Sequence, residues 1–249
     1  MKYLIPLLLF AIFISCGNDS SLNNDDEDFA VFFVDPNLEE VVREALGTDT
    51  ATLFYSDLQD ITVLDANNRG ITNISGIGNI ENLVSLNLER NSIINIGPLR
   101  GLHDLEELNL GNNHIEDINI LSALISLTEL SIDSNQVSDL SSLAGLTDIT
   151  RLNLSGNDIT NINAVGPLFD LEFLYLDNNQ VEDITSLAAL INASLLGLNN
   201  NQIEDISPLV DNSGLGAGDE IRLTGNPLSS ESTLDHIPAL QARGVKVVY

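Results

Sequence analysis

The sequence predicts an α/β repeat solenoid whose coils lay short strands side by side in one parallel sheet, closed by a cap at each end. Three observations predict it. Asn91, Asn113, Asn135, Asn157, Asn179 and Asn201 recur every 22 residues. Apolar residues keep fixed places around each asparagine, as in Leu171, Leu174, Leu176, Val181 and Ile184 around Asn179. Segments of different periodicity flank the regular stretch on both sides. A 22-residue unit cannot bury its apolar face alone, so units of this kind stack on one another.

Taken in order, the chain starts with Met1-Lys2, a nearly continuous apolar run from Tyr3 to Ile14, and Phe13-Ile14-Ser15-Cys16. Residues 1–15 resemble a bacterial lipoprotein signal peptide with its lipobox, with Phe13 where leucine is usual. The resemblance implies cleavage after Ser15 and a lipid on Cys16; an ordinary secretory signal with an incidental cysteine is the alternative. The run is short for a transmembrane helix. Cys16 is the only cysteine, which excludes an intramolecular disulfide and a cysteine-rich metal site. Residues 16–34 are assigned to the lipidated cysteine and an acidic tether, because Gly17 to Asp28 is polar and lacks apolar periodicity.

Residues 35–60 form a helical N-terminal cap. Asp35 sits at an N-cap, Pro36 at the first helical position and Gly47 at the stop, while Leu38, Val41, Val42, Ala45 and Leu46 share one face. A second helical turn is expected over Tyr55–Leu58. The repeats occupy residues 61–228. In each, alternation such as Leu174-Tyr175-Leu176 makes a short strand with its leucines inward. The return inside 22 residues leaves room only for extended chain or 3₁₀ turns on the back.

The ladder asparagines, continued by Asn226, are expected at the bend after each strand, bonding backbone groups of their own and adjacent coils. Arg69 holds the corresponding place in the first coil. A second ladder, Asn73, Asn95, Asp117, Asp139, Asn161, Asp183 and Asp205, is read as capping the turns that follow, in preference to calcium coordination. A glycine-rich insertion, Asp211 to Glu220, delays Asn226 to 25 residues after Asn201. Residues 229–249 are the C-terminal cap, a helix from Ser229 to Arg243 interrupted near Pro238 and a final strand.

The pattern L-x-x-L-x-L-x-x-N-x-I identifies leucine-rich repeats. Together with the Asp35-Pro36-Asn37-Leu38 opening and the Gly225-Asn226-Pro227-Leu228 coil, residues 35–249 resemble the bacterial internalin-like proteins. The resemblance implies a right-handed, curved solenoid whose concave sheet binds another macromolecule, often a cell-surface protein. No immunoglobulin-like module or wall-sorting signal is recognised after the repeats, so the lipid at Cys16 is expected to serve as the anchor.

Function is less legible. The formal charge of −28, from 9 Lys and Arg against 37 Asp and Glu, disfavours nucleic acid and anionic lipid. Two readings of the acids stand, a solvated surface and an invitation to cationic partners. His103, His114 and His236 fall at unrelated repeat positions, and no phosphate loop or zinc-protease motif occurs, so the chain is read as non-enzymatic, without cofactor or metal.

Among outward strand positions, mostly small or polar, Arg151, Phe173, Tyr175, Leu195 and Arg222 stand out as candidate ligand-binding residues. The alternative is that neighbouring side chains cover them. The expected role is a lipid-anchored protein-binding module at the bacterial cell envelope, in adhesion or recognition. An outer-membrane, possibly surface-exposed lipoprotein is the expected location. An envelope scaffold and a carbohydrate-binding module are the alternatives, and the oligomeric state stays open.

Overall fold

The coordinates are a computed structural model that describes residues 28–49 and 52–249. The signal peptide and the lipid attachment at Cys16 lie outside these residues. The first element is a two-residue strand, β1 (Ala30–Val31), followed by helix α1 (Pro36–Leu46), strand β2 (Leu53–Phe54) and the single turn α2 (Tyr55–Leu58). Strands β3 (Val63–Asp65), β4 (Ser85–Asn87), β5 (Glu107–Asn109), β6 (Glu129–Ser131), β7 (Arg151–Asn153), β8 (Phe173–Tyr175) and β9 (Leu195–Gly197) follow one per coil. The chain ends with helix α3 (Ser207–Asp211), strand β10 (Glu220–Arg222), helix α4 (Ile237–Ala242) and strand β11 (Lys246–Val248).

From β3 to β11 the strands form one nine-stranded parallel sheet in sequence order. Its register aligns Leu64, Leu86, Leu108, Leu130, Leu152, Leu174, Leu196 and Ile221 in one buried row. The backs of the coils carry 3₁₀ turns, such as Gly97–Gly101 and Thr185–Ala189, and α3 replaces the turn in the lengthened coil. Among the described residues one continuous apolar core runs from Val31 to Val245, and residues 28–249 form it among themselves.

Each ladder asparagine reaches back one coil. Asn157 Nδ2 donates to the carbonyls of Ile132 at 2.9 Å and Leu154 at 3.0 Å, while its Oδ1 accepts from Val137 N–H at 2.9 Å. Asn91, Asn113, Asn135, Asn179, Asn201 and Asn226 repeat this geometry. Asn135 and Asn226 are half-buried and the others buried. The residue ahead of each turns the chain through the left-handed region, as Asn112, Asn178 and Asn200 do at φ +54 to +58° and Gly156 at +68°. Asparagine and glycine tolerate that conformation best.

The second ladder makes turns. From Asn73 to Asp205, each side-chain oxygen accepts the backbone N–H two residues on, at 2.8 or 2.9 Å. Those side chains thereby supply the local bond that starts each back turn.

Two expectations need correction at the ends. The assigned tether ran to residue 34, but the folded chain starts earlier. β1 pairs antiparallel with β2, and Val31 and Phe33 are buried against the first coil. A two-residue strand leaves no periodicity to read, which hid it. Nor does Pro238 break the C-terminal helix. A π-helical segment, Ser232–His236, runs directly into α4, so Pro238 sits inside one continuous helical run. The wider π-helical turns just ahead of it accommodate a residue that lacks an N–H.

Asp35 joins the cap to the repeats. Its Oδ1 accepts from Asn37 N–H at 3.0 Å, and its Oδ2 accepts from Thr72 N–H at 2.8 Å and Asn73 N–H at 3.2 Å. Burial opposes ionisation of this carboxyl, but the backbone donations from Thr72, Asn37 and Asn73, with the Thr72 hydroxyl, outweigh it and hold it below the usual carboxylate range. Arg69 pairs with Glu44 of α1, and Asn37 Nδ2 donates to the Gly70 carbonyl at 3.3 Å.

Two predictions follow from these bonds. Asn157→Ala should lower stability by about 3 kcal/mol in denaturant titration, because it strands backbone groups of two coils, whereas Asp139→Ala should cost about 1 kcal/mol. Asp35→Ala should cost about 2 kcal/mol at pH 7 and speed hydrogen exchange first in α1. Because its folded pKa lies below the unfolded value, Asp35 stabilises above about pH 4 and less as pH falls through the folded pKa. The gap between wild type and Asp35→Ala should therefore narrow in acid.

Candidate functional site

The outward positions of β3 to β10 form two columns on the concave sheet. The strand register sets Ser85, Glu107, Glu129, Arg151, Phe173 and Leu195 side by side in the first. Asn87, Asn109, Ser131, Asn153, Tyr175 and Gly197 share the second. An open groove of about 410 Å³ runs over these strands, from Ser85 and Asn87 through Glu107 and Glu129 to Arg151 and Tyr175.

Arg151 and Tyr175 line one end of that groove, and Phe173 and Leu195 follow Arg151 across the next two strands just beyond it. The Arg151 guanidinium lies 4.2 Å from the centroid of the Phe173 ring, and its Nε is 3.6 Å from Glu129 Oε2. One cation thus lies over an aromatic ring and beside a carboxylate, which holds it in place without neutralising it in a tight pair. Leu195 pairs with Phe173 across the sheet, and Tyr175 has Gly197 as its neighbour. Gly197 keeps this spot open: a Cβ there would lie 2.7 Å from Asp177 Oδ2 and 3.3 Å from the Tyr175 ring. All four cluster residues are half-buried, so the flat sheet turns their edges, not their whole side chains, to solvent.

Arg222 stands apart from them. It lies two strands beyond Tyr175, and its Nε is 2.5 Å from Glu220 Oε1, while Lys246 Nζ is 2.7 Å from Glu220 Oε2. The hydrogen bonds from Lys246 and Arg222 hold the Glu220 carboxyl below its usual range. This triad braces β10 and β11, and its charges are engaged with one another.

Sequence reasoning passed over two sets of exposed apolar side chains. Ile125, Phe169 and Ile191 share one repeat position on the rim, where other coils carry Glu81, His103 and Thr147; comparison down that column reveals them. Phe29, Phe32, Val34 and Phe54 lie on the N-terminal cap, which no repeat indexes. Among the described residues no group of three or more metal-ligating side chains converges. The acids of the second ladder are occupied by turn N–H groups; the hydroxyl and N–H of Thr185 hold Asp183, and the N–H and hydroxyl of Ser207 hold Asp205, below the usual carboxylate range.

One strand per coil, an amide ladder at each bend and a sheet face free of structural duty define a leucine-rich-repeat solenoid of the recognition class. The leucine-rich-repeat family matches in two copies, at residues 81–123 and 125–167. No curated protein matches by sequence. Among solved structures, internalin C2 of Listeria monocytogenes is 35% identical, with a TM-score of 0.79 over 87% of this chain and 93% of that one. The internalin inlF of the same species is 31% identical, with a TM-score of 0.79 over 86% of this chain and 63% of its own. The functional domain of InlJ, also from Listeria monocytogenes, includes a cysteine ladder; at 21% identity and a TM-score of 0.61, over 81% of this chain and 53% of that one, it shares the fold alone. The chain belongs to the internalin-like leucine-rich-repeat proteins.

The Arg151–Phe173 contact is measurable. A double-mutant cycle with Arg151→Ala and Phe173→Ala should give a coupling of about 0.5 to 1 kcal/mol in unfolding free energy. Each single variant should leave the circular-dichroism spectrum unchanged.

Proposed function

We propose that this chain is a non-enzymatic recognition module, held at the bacterial cell envelope by lipid on Cys16, that binds a protein through its concave face. The observation that carries this reading is the cluster of Arg151, Phe173, Tyr175 and Leu195 at and just beyond the end of the groove, on a face otherwise lined by small and polar residues. Aromatic and arginine side chains ringed by polar neighbours are the usual centres of protein interfaces. The partner supplies an apolar side chain for Phe173, Tyr175 and Leu195, and polar or cationic groups for Glu107 and Glu129. Nucleic acid is disfavoured, since a charge of −28 repels it. The signal-peptide and lipobox resemblance at residues 1–16 supports an outer-membrane lipoprotein, and an adhesin would face outward.

A carbohydrate ligand is the second reading, favoured by the amide and hydroxyl column Asn87, Asn109, Ser131 and Asn153 that ends at Tyr175. The chain contains no tryptophan, the usual sugar-stacking platform, which ranks this reading lower.

Residues 28–249, immobilised, should retain an envelope or host-surface protein. Phe173→Ala with Tyr175→Ala should weaken that binding by roughly a hundredfold or more with an unchanged circular-dichroism spectrum. Retention at wild-type strength would remove the site assignment, and retention of glycan in place of protein would favour the second reading.

A further inference from the structure

The N-terminal cap carries an apolar surface that the concave site does not explain. β1 and β2 form a ribbon whose inner face packs Val31, Phe33 and Leu53 into the core. A ribbon covering one end of a solenoid ordinarily presents polar residues outward. Here the outer side is apolar as well. Phe32 is 78% exposed, Val34 66% and Phe54 41%. Phe54 lies opposite Ala30 in the ribbon, so it shares a face with Phe32, two residues further along. Phe29, opposite Tyr55 and stacked on it at 5.0 Å between ring centroids, belongs by the same alternation to the other side of the ribbon, where Tyr55 packs against the core.

Position indicates what covers this face. It begins at the first described residues, and only twelve residue steps separate Asp28 from Cys16. Covalent geometry limits their reach to about 40 Å. A lipid on Cys16 would therefore hold the face close to a bilayer, at the millimolar effective concentration of a short tether. Its flanks are acidic on balance: Glu39 pairs with Arg43 and Glu44 with Arg69, while Glu40 on α1 and Asp49 just beyond it add negative charge, and Asp57 lies beside Phe54. Those charges favour zwitterionic over anionic headgroups.

We propose that Phe32, Val34 and Phe54 form a membrane-seating face that inserts into the headgroup region of a zwitterionic bilayer and stands the solenoid upright on its N-terminal cap. The inference rests on the lipid-anchor reading for proximity, but the face itself acts without the lipid. Seated this way, the coils rise away from the membrane. The Phe173 and Tyr175 cluster on β8, five strands from β3, then stands about 25 Å above the membrane-proximal strand.

The chain has no tryptophan, so Phe32→Trp and Phe169→Trp each introduce a single fluorescent reporter into residues 28–249. Titration with phosphatidylcholine–phosphatidylethanolamine vesicles should move the emission of the Phe32→Trp protein to shorter wavelength and leave that of Phe169→Trp, on the rim, unchanged. In flotation, Phe32→Ser with Val34→Ser should lower the lipid-bound fraction by roughly tenfold or more at unchanged denaturation midpoint. Added phosphatidylglycerol should weaken binding, and salt should restore it.

Failure of the Phe32→Trp emission to respond, an equal response from Phe169→Trp, or flotation of the double variant at wild-type level would overturn the proposal. So would Phe32-dependent self-association in the absence of lipid, which would make the face a contact between two copies. Metabolic labelling of Cys16 with a fatty-acid analogue in cells tests the anchor separately. Loss of that label with an intact vesicle response would refute the anchor and keep the face.

Discussion

The backward reach of one side-chain amide is the constraint on which the structure depends. Asn157 bonds the carbonyl of Ile132 and the N–H of Val137, both in the preceding coil, and every other rung is built the same way. The ladder therefore has a direction. A coil needs its asparagine only if another coil precedes it, which explains why the first coil dispenses with one. Arg69 stands at that position, its own N–H taken up by Asn91 Oδ1 at 3.1 Å and its side chain turned to Glu44 of the cap helix. The departure from the repeat is the boundary condition of the repeat.

A directed stack needs different closures at its two ends. At the N-terminal end the cap must satisfy backbone groups for which no earlier coil exists, and Asp35 and Asn37 do so from α1. At the C-terminal end the last rung has been laid and the core must be covered. Asn212, fully buried, donates to the carbonyls of Leu187 and Leu190 at 2.9 Å and so anchors the glycine-rich insertion to the coil before it. The Arg243 guanidinium gathers the carbonyls of Val210, Asn212 and Leu215 around itself. Gly214 allows this closure, since a Cβ there would collide with the Ile191 carbonyl.

What the sequence made legible follows from the same logic. A period of 22 is visible because each coil repeats one set of bonds, so the strands, the buried leucines, both side-chain ladders and the outward columns could be read by position alone. The ends are not periodic, and there reading stopped. β1 has two residues and its partner is 22 residues away, so no local pattern marks it. The roles of Asn212 and Arg243 depend on contacts between residues 22 to 33 positions apart, and nothing in either neighbourhood announces them. At the site, periodicity placed Arg151 and Phe173 side by side but could not say that one covers the other, nor that Glu220 engages Arg222, because those are choices of rotamer.

The location of the candidate site has an energetic reason. Interior coils are held by rungs on both sides, so β7 and β8 lie in the part of the stack that opens last, and side chains mounted there are positioned by a rigid support. The leucines and asparagines that carry stability point inward, while Arg151, Phe173 and Tyr175 point outward, so the outward set can change without cost to the core. That separation lets one scaffold serve many partners and leaves the choice of partner outside the fold. On the proposed reading, recognition rests on a few positions of the concave columns. The repeat itself guarantees only that whatever stands there is held at fixed spacing, with one edge in solvent.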